Sequence, residues 1–131
     1  MVAPASRLLA AFSASLLAFG SFMHAMAFHR TLTAVAKSDL TPFFGNSLKL
    51  LWLGDCCMMA VLSALFVLIA VRPSVATKPA LMMLSLIPAS TGILIYIFLG
   101  FFFAGHLLIA AAAGVFLAGL LLPSSAEAIR S

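Results

Sequence analysis

The chain alternates long apolar runs with short segments that contain its charges. The first two apolar runs are each bracketed by Arg or Lys, and a third run from Ala80 to Leu122 contains no charged residue. This third run is about twice the length of one bilayer crossing, and Gly100 and Gly105 predict a turn within it. The pattern therefore predicts four transmembrane helices, over residues 8–28, 50–71, 80–99 and 104–122.

The composition supports the same class of protein. The 131 residues are 65% hydrophobic and only 8% charged, and the mean hydropathy is +1.26. These values exclude an ordinary soluble globular domain. We expect an all-α, polytopic integral membrane protein, built as a four-transmembrane-helix bundle in a single membrane domain over residues 1–131. Four crossings place both termini on the same side of the membrane.

The first apolar run also resembles a secretory signal. Arg7 precedes it, and Ala25-Met26-Ala27 imitates a small-residue cleavage site. Removal of this segment would leave three helices. Because the run is long enough to cross the bilayer rather than only to target the chain, we expect it to be retained as the first helix.

The net charge of +4 does not indicate nucleic-acid binding, because the cations lie at the ends of the predicted helices, where lipid phosphates attract them. The expected partner is the lipid bilayer, with no nucleic acid. The excess of cations on the side of the termini predicts that both termini are cytoplasmic. That side has Arg7, Arg72, Lys78 and Arg130, and the other side has Arg30, Lys37 and Lys49.

The longest predicted loop covers residues 29–49. Pro42 is expected to interrupt the helical hydrogen bonding there. Phe43 and Phe44 follow it and are expected to anchor the loop at the membrane interface. The alternative is that these two rings cover the end of the bundle.

Four polar residues fall near the same membrane face once the helices alternate in direction. His24 and Tyr96 lie near the ends of the first and third spans, and Asp55 and His106 lie near the starts of the second and fourth. All four are expected in a layer about 3–8 Å below the interface. Asp55 is the only charged residue inside any apolar run, and an intramembrane carboxylate predicts a functional site.

Small residues on the same helical faces indicate that this layer points inward, because small side chains let membrane helices approach closely. Trp52 lies one turn before Asp55 and joins the predicted ligand-binding group. The small-residue ridges comprise Gly20, Ser13 and Ala10 below His24, then Gly92, Ala89 and Ser85 below Tyr96, then Ala110, Gly114 and Ala118 beyond His106.

His24, Asp55 and His106 are ligand types that zinc and non-haem iron use, so a transition-metal site is one hypothesis. Haem is the alternative cofactor, with His24 and His106 as axial ligands. A purely structural role remains open, in which Asp55 pairs with Lys49, with Arg30 or with the loop backbone.

The sulfur-containing residues near this face favour packing over chemistry. Cys56 and Cys57 are adjacent and point to different helical faces, which disfavours a shared thiolate site. The neighbouring methionines suit Cu(I) but are also the usual filler of irregular apolar space. We interpret both groups as packing residues.

The sequence thus predicts a small membrane protein with a half-buried polar pocket. Asp55, His24, Tyr96, His106 and Trp52 would bind a metal ion, protons or a small solute. The alternatives are a structural or accessory subunit that pairs with itself or with another membrane protein, and a haem-binding or lipid-acting enzyme. The sequence contains no nucleophile and base at a spacing that indicates a reaction. Whether the protein is an enzyme therefore stays open.

Overall fold

The computed structural model describes residues 4–122, which form four long α-helices and a short 3-10 turn, with no strand among them. Each long helix has the length and composition needed to cross a membrane. The predicted all-α, multi-pass membrane fold with four spanning helices is confirmed. The helices are α1 (Pro4–Ala36), α2 (Pro42–Val71), α3 (Lys78–Leu99) and α4 (Phe103–Leu120), and the 3-10 turn is Pro73–Val75.

The boundaries of α3 and α4 agree with the predicted spans within two residues. Gly100 ends α3 with a positive φ of 71°, a conformation that glycine adopts without steric cost. Gly105 was predicted to share this turn, and that prediction is wrong. It lies inside α4, where a Cβ would come within 2.6 Å of the Tyr96 ring, so its role is to admit that ring.

The predicted loop over residues 29–49 is wrong for most of its length. α1 continues to Ala36 and α2 already begins at Pro42, so the connection is residues 37–41. Pro42 starts a helix instead of interrupting one, because the first helical N–H has no intrahelical partner to lose. The extra turns make α1, with 33 residues, about 50 Å long, whereas α4, with 18 residues, is about 27 Å long.

The helices pack in the series α2, α1, α4, α3. α1 contacts α2 and α4, α4 also contacts α3, and α2 and α3 occupy the two outer positions. The core is shared by all four, because each contributes one of the largest fully buried side chains. These are Leu17 from α1, Phe66 from α2, Leu81 from α3 and Val115 from α4.

Close packing of all four helices together is confined to one half of the bundle. The buried residues of α1 end at Leu17, and those of α3 end at Gly92. On α2, apart from Gly45, they begin only at Cys56. The half that contains His24 has few buried side chains on the outer helices α2 and α3, so α2 and α3 separate from each other there.

Hydrogen bonds from side chains to backbone carbonyls join neighbouring helices. Ser6 Oγ donates to the Ala118 carbonyl at 2.9 Å, and Ser63 Oγ donates to the Ala14 carbonyl at 2.8 Å. The bond between Ser6 and Ala118 places the start of α1 beside the end of α4. Because α1 and α2 are longer than the other two helices, their hairpin projects beyond the α3–α4 turn at the opposite end.

Two cations lie on the carbonyl ends of neighbouring helices at the closely packed end. Arg7 Nε donates to the Ala70 carbonyl at 2.8 Å, and Lys78 Nζ donates to the Leu120 carbonyl at 3.3 Å. These carbonyls lie in the last turns of α2 and α4, which lack intrahelical donors and carry partial negative charge. The cations therefore stabilise two helix ends, in addition to the expected attraction to lipid phosphates at the membrane surface.

The small-residue ridge of α4 faces inward only in its second half. Ala110 is exposed, whereas Gly114 and Ala118 are buried. Steps of four residues turn about 40° around a helix whose repeat is 3.6 residues, so one ridge cannot stay on one face. Gly114 lies directly against Ser13 of α1, where a Cβ would collide with Ser13 Oγ.

We predict that Gly114→Ala destabilises the protein, because its Cβ would overlap Ser13 Oγ and the inner helices would have to move apart. The expected loss is about 1–3 kcal/mol of unfolding free energy, measured by SDS titration of the protein in mixed micelles. Ser13 Oγ is buried without a hydrogen-bond partner among the described residues, so Ser13→Ala should be tolerated and should rescue Gly114→Ala.

Gly54→Ala is the matched control, because a Cβ at Gly54 would meet nothing within 4 Å. It should not lower the unfolding free energy, because alanine is favoured over glycine inside a helix by about 1 kcal/mol. Equal losses for Gly54→Ala and Gly114→Ala, or no rescue by Ser13→Ala, would contradict the proposed steric cause.

Candidate functional site

A cavity of about 430 Å³ lies between the four helices in the open half of the bundle. Its volume falls within the range of small-molecule sites in proteins. The lining is almost entirely apolar, with few polar side chains. Its walls include Phe19, Gly20 and His24 from α1, Trp52, Asp55 and Met59 from α2, Thr91 and Ile95 from α3, and Leu107 and Leu108 from α4.

His24 and Asp55 form the polar part of this cavity. The distance from His24 Nε2 to Asp55 Oδ2 is 3.5 Å, and the two side chains are 26% and 29% exposed. The pair links α1 to α2. When the imidazole is protonated the contact is an ion pair, although 3.5 Å is longer than a strong hydrogen bond. The pair is therefore not held by a short hydrogen bond between its two side chains.

Trp52 fixes the position of His24 from the neighbouring helix. Its indole Nε1 donates to the His24 backbone carbonyl at 2.8 Å. The two rings also stack, with centroids 4.0 Å apart and planes 10° from parallel. Because residues three apart share a helical face, Trp52 and Asp55 contact His24 together. The hydrogen bonds found within residues 4–122 leave His24 Nδ1 and Asp55 Oδ1 available.

Tyr96 and His106 form a second pair outside the cavity. Their rings meet edge to face with centroids 5.3 Å apart, and neither residue lines the cavity. His106 Nδ1 lies 3.1 Å from the Phe102 carbonyl and the side chain is exposed. The prediction that His106 points inward is wrong, because Gly105 makes the contact with α3 and the next residue is rotated by about 100°.

The predicted metal ligands are not brought together as a set of three. His24 and Asp55 are adjacent, but no group of three or more His, Cys, Asp or Glu within residues 4–122 is placed to hold a metal ion. A catalytic zinc takes three protein ligands, so the pair alone does not fit it. The predicted haem pair fits no better, because His24 faces the cavity while His106 lies outside it.

Other residues near the pair have structural roles. Lys49 Nζ contacts Asn46 Oδ1 at 3.3 Å, whereas the ion pair found for Asp55 is with His24. Cys56 is buried and Cys57 is exposed, and both thiols are free. The Cys56 carbonyl accepts a hydrogen bond from Ser21 Oγ at 2.9 Å, which joins α1 and α2 just below the cavity.

The apolar walls of the cavity were not predicted from the sequence. Residues such as Ile95 and Leu107 resemble every other apolar residue in these helices, so their position beside a cavity has no sequence signal. Gly20 is the exception, because a glycine one turn before His24 lets side chains of other helices approach α1 on the same face. A Cβ at Gly20 would lie 3.2 Å from Leu107 Cδ2 and 3.3 Å from Met59 Sδ.

We predict that the fluorescence of Trp52 reports the protonation of His24. Trp52 is the only tryptophan in the chain, and a stacked imidazolium accepts an electron from the excited indole more readily than a neutral imidazole. Emission should therefore fall as pH is lowered through the titration of His24. His24→Phe should abolish this pH dependence, and His106→Phe should preserve it. A titration that survives in His24→Phe would contradict the stacking.

Comparisons with known proteins supply no relative from which a function could be carried over to this cavity. The chain matches no protein-family model, no curated protein and no solved structure. The function is therefore argued from the chemistry of the cavity and its polar pair.

Proposed function

We propose that this protein binds a small amphipathic molecule in the cavity between its helices. The hydrogen-bonding group of the ligand contacts His24 and Asp55, and the apolar part lies against the walls. The observation that supports this proposal is the distribution of polarity: a cavity lined almost entirely by apolar side chains has its polar pair at one place.

A hydroxyl group suits this pair. It donates to the Asp55 carboxylate and accepts from an imidazole N–H of His24, so both side chains gain a partner. Asp55 and His24 lie inside apolar helices, where an unsatisfied polar group is costly. The ligand would therefore be held by hydrogen bonds as well as by burial of its apolar surface.

This proposal selects among the ligands that the sequence left open. A small solute is favoured over a metal ion, because only two of the three suggested ligands are adjacent. A proton is shared within the His24–Asp55 pair, and a bound hydroxyl forms hydrogen bonds to this pair without transferring its own proton. We further propose that both termini are cytoplasmic, as the slight excess of cations on that side favours.

The alternative role as an accessory subunit has less support from the packing. Two glycines of the predicted small-residue ridges are used within the chain, although Ala110 is exposed. Gly114 lies against Ser13, and a Cβ at Gly92 would lie 3.0 Å from Ile109. A partner or a second copy would therefore have to bind other surfaces.

We predict that Trp52 fluorescence in nanodiscs is quenched saturably by 2-bromododecanol, whose bromine lies beside its hydroxyl. 2-Bromododecane should require an about tenfold higher concentration for equal quenching. A hydrogen bond to a charged group contributes roughly 1.5–3 kcal/mol, and 1.4 kcal/mol corresponds to a tenfold change in the dissociation constant. Asp55→Leu should remove the preference for the alcohol while leaving the apolar cavity in place.

Gly20→Leu provides an independent test, because Leu107 Cδ2 and Met59 Sδ would lie only 3.2 Å and 3.3 Å from its Cβ, so the longer side chain must displace these two cavity walls. Saturable quenching should be lost in this variant. Gly54→Leu is the matched control, since Gly54 is exposed and does not line the cavity. Equal, unsaturable quenching by the alcohol and the alkane in the wild-type protein, with no saturable quenching by the short alcohol 2-bromobutanol either, would overturn the proposed function.

A further inference from the structure

We infer that the ligand enters the cavity from the bilayer, through a cleft between α2 and α3, and is a lipid alcohol whose long apolar chain extends into the membrane. This inference rests on the proposed function and adds the class of ligand and its route. The observations behind it are the order of the helices and the chemistry of the surface at the level of the cavity.

The order of the helices leaves the cleft. α1 and α4 pack against each other and form the back of the cavity, while α2 and α3 are the outer members of the series. Asp55 and Met59 of α2 and Thr91 and Ile95 of α3 all line the cavity. Packing between α2 and α3 is sparse within the described residues. The side of the cavity between them therefore has no helix to close it.

The tightly packed half of the bundle closes one end of this cleft. Phe66 of α2 and Leu81 of α3 are fully buried and belong to one core cluster with residues of α1 and α4. An apolar chain that enters between α2 and α3 is stopped by this cluster. Its polar end is then held at the level of His24 and Asp55.

The surface around the cleft is apolar. At the level of the cavity, the outward-facing residues of α2 include Leu53 and Val61, which are 44% and 67% exposed. On α3 they include Leu94 and Phe98, which are 52% and 77% exposed. Helices with such surfaces are in contact with lipid hydrocarbon. The cleft therefore opens to acyl chains, and a molecule dissolved in the membrane reaches it directly.

The route restricts the class of ligand. A chain longer than the cavity can remain in the cleft and the surrounding hydrocarbon at no desolvation cost, since that environment is as apolar as the chain itself. A charge at the far end of the chain would have to lie in hydrocarbon, which is strongly unfavourable. The site should thus accept long-chain alcohols and reject the same alcohols with a charged tip.

The test compares three probes by quenching of Trp52 in nanodiscs, each normalised to its mole fraction in the lipid: 2-bromobutanol, 2-bromododecanol, and 2-bromododecanol with a sulfonate on its last carbon. We expect the long alcohol to bind at least as well as the short one. The sulfonated alcohol should bind at least tenfold more weakly than the uncharged long alcohol.

The outcomes separate this inference from the proposed function. If neither uncharged alcohol quenches saturably, the proposed function fails and the inference fails with it. If the short alcohol binds but the long one does not, or the sulfonated alcohol binds equally well, the cavity holds a solute and the membrane route is wrong.

A pair of adjacent substitutions tests the cleft itself. Thr91 lines the cavity and Ser90 does not, yet both hydroxyls donate to the Ile87 carbonyl, so replacing either one removes the same kind of bond. Thr91→Phe should weaken quenching by 2-bromododecanol at least tenfold, whereas Ser90→Phe should leave it unchanged. Equal effects of the two substitutions would show that the alcohol does not lie against the α3 side of the cavity, and would overturn a route between α2 and α3.

Discussion

The close contact between Ser13 and Gly114 is the constraint on which the bundle depends. α1 and α4 are the inner helices of the series, and with the Ser13 hydroxyl in place only a residue without a Cβ at position 114 lets their backbones approach this closely. Lipid provides no hydrophobic force that drives helices together, so close packing of small residues must supply the attraction. α2 and α3 each pack on one inner helix and depend on this contact indirectly.

The difference between the two halves of the bundle creates the site. Near the Ser13–Gly114 contact, all four helices contribute buried residues. Towards His24 the outer helices lose their mutual contacts, and a cavity of about 430 Å³ appears. A bundle packed equally tightly along its whole length would have no room for a ligand. One half of the bundle therefore provides most of the packing that stabilises the fold, and the other half provides the cavity.

His24 and Asp55 were predictable from the sequence as neighbours, because alternating helices bring the end of one span beside the start of the next. His106 was predicted to join them and does not. Membrane depth follows from position along the chain, but rotation about the helix axis depends on which residues pack. Gly105 contacts Tyr96, and this contact turns the following residue outward. The predicted layer therefore divides into two pairs.

The sequence by itself determined that the chain forms four membrane helices, because uncharged runs of this length have no other stable arrangement in lipid. It also located the turn at Gly100. It did not determine that α1 and α2 extend beyond the membrane-length runs, because Pro42 is compatible with a break or a helix start. The helix order, the cavity and the separation of His106 from Asp55 were decided only by tertiary packing. These features depend on side-chain fit between distant segments, and local sequence patterns do not encode that fit.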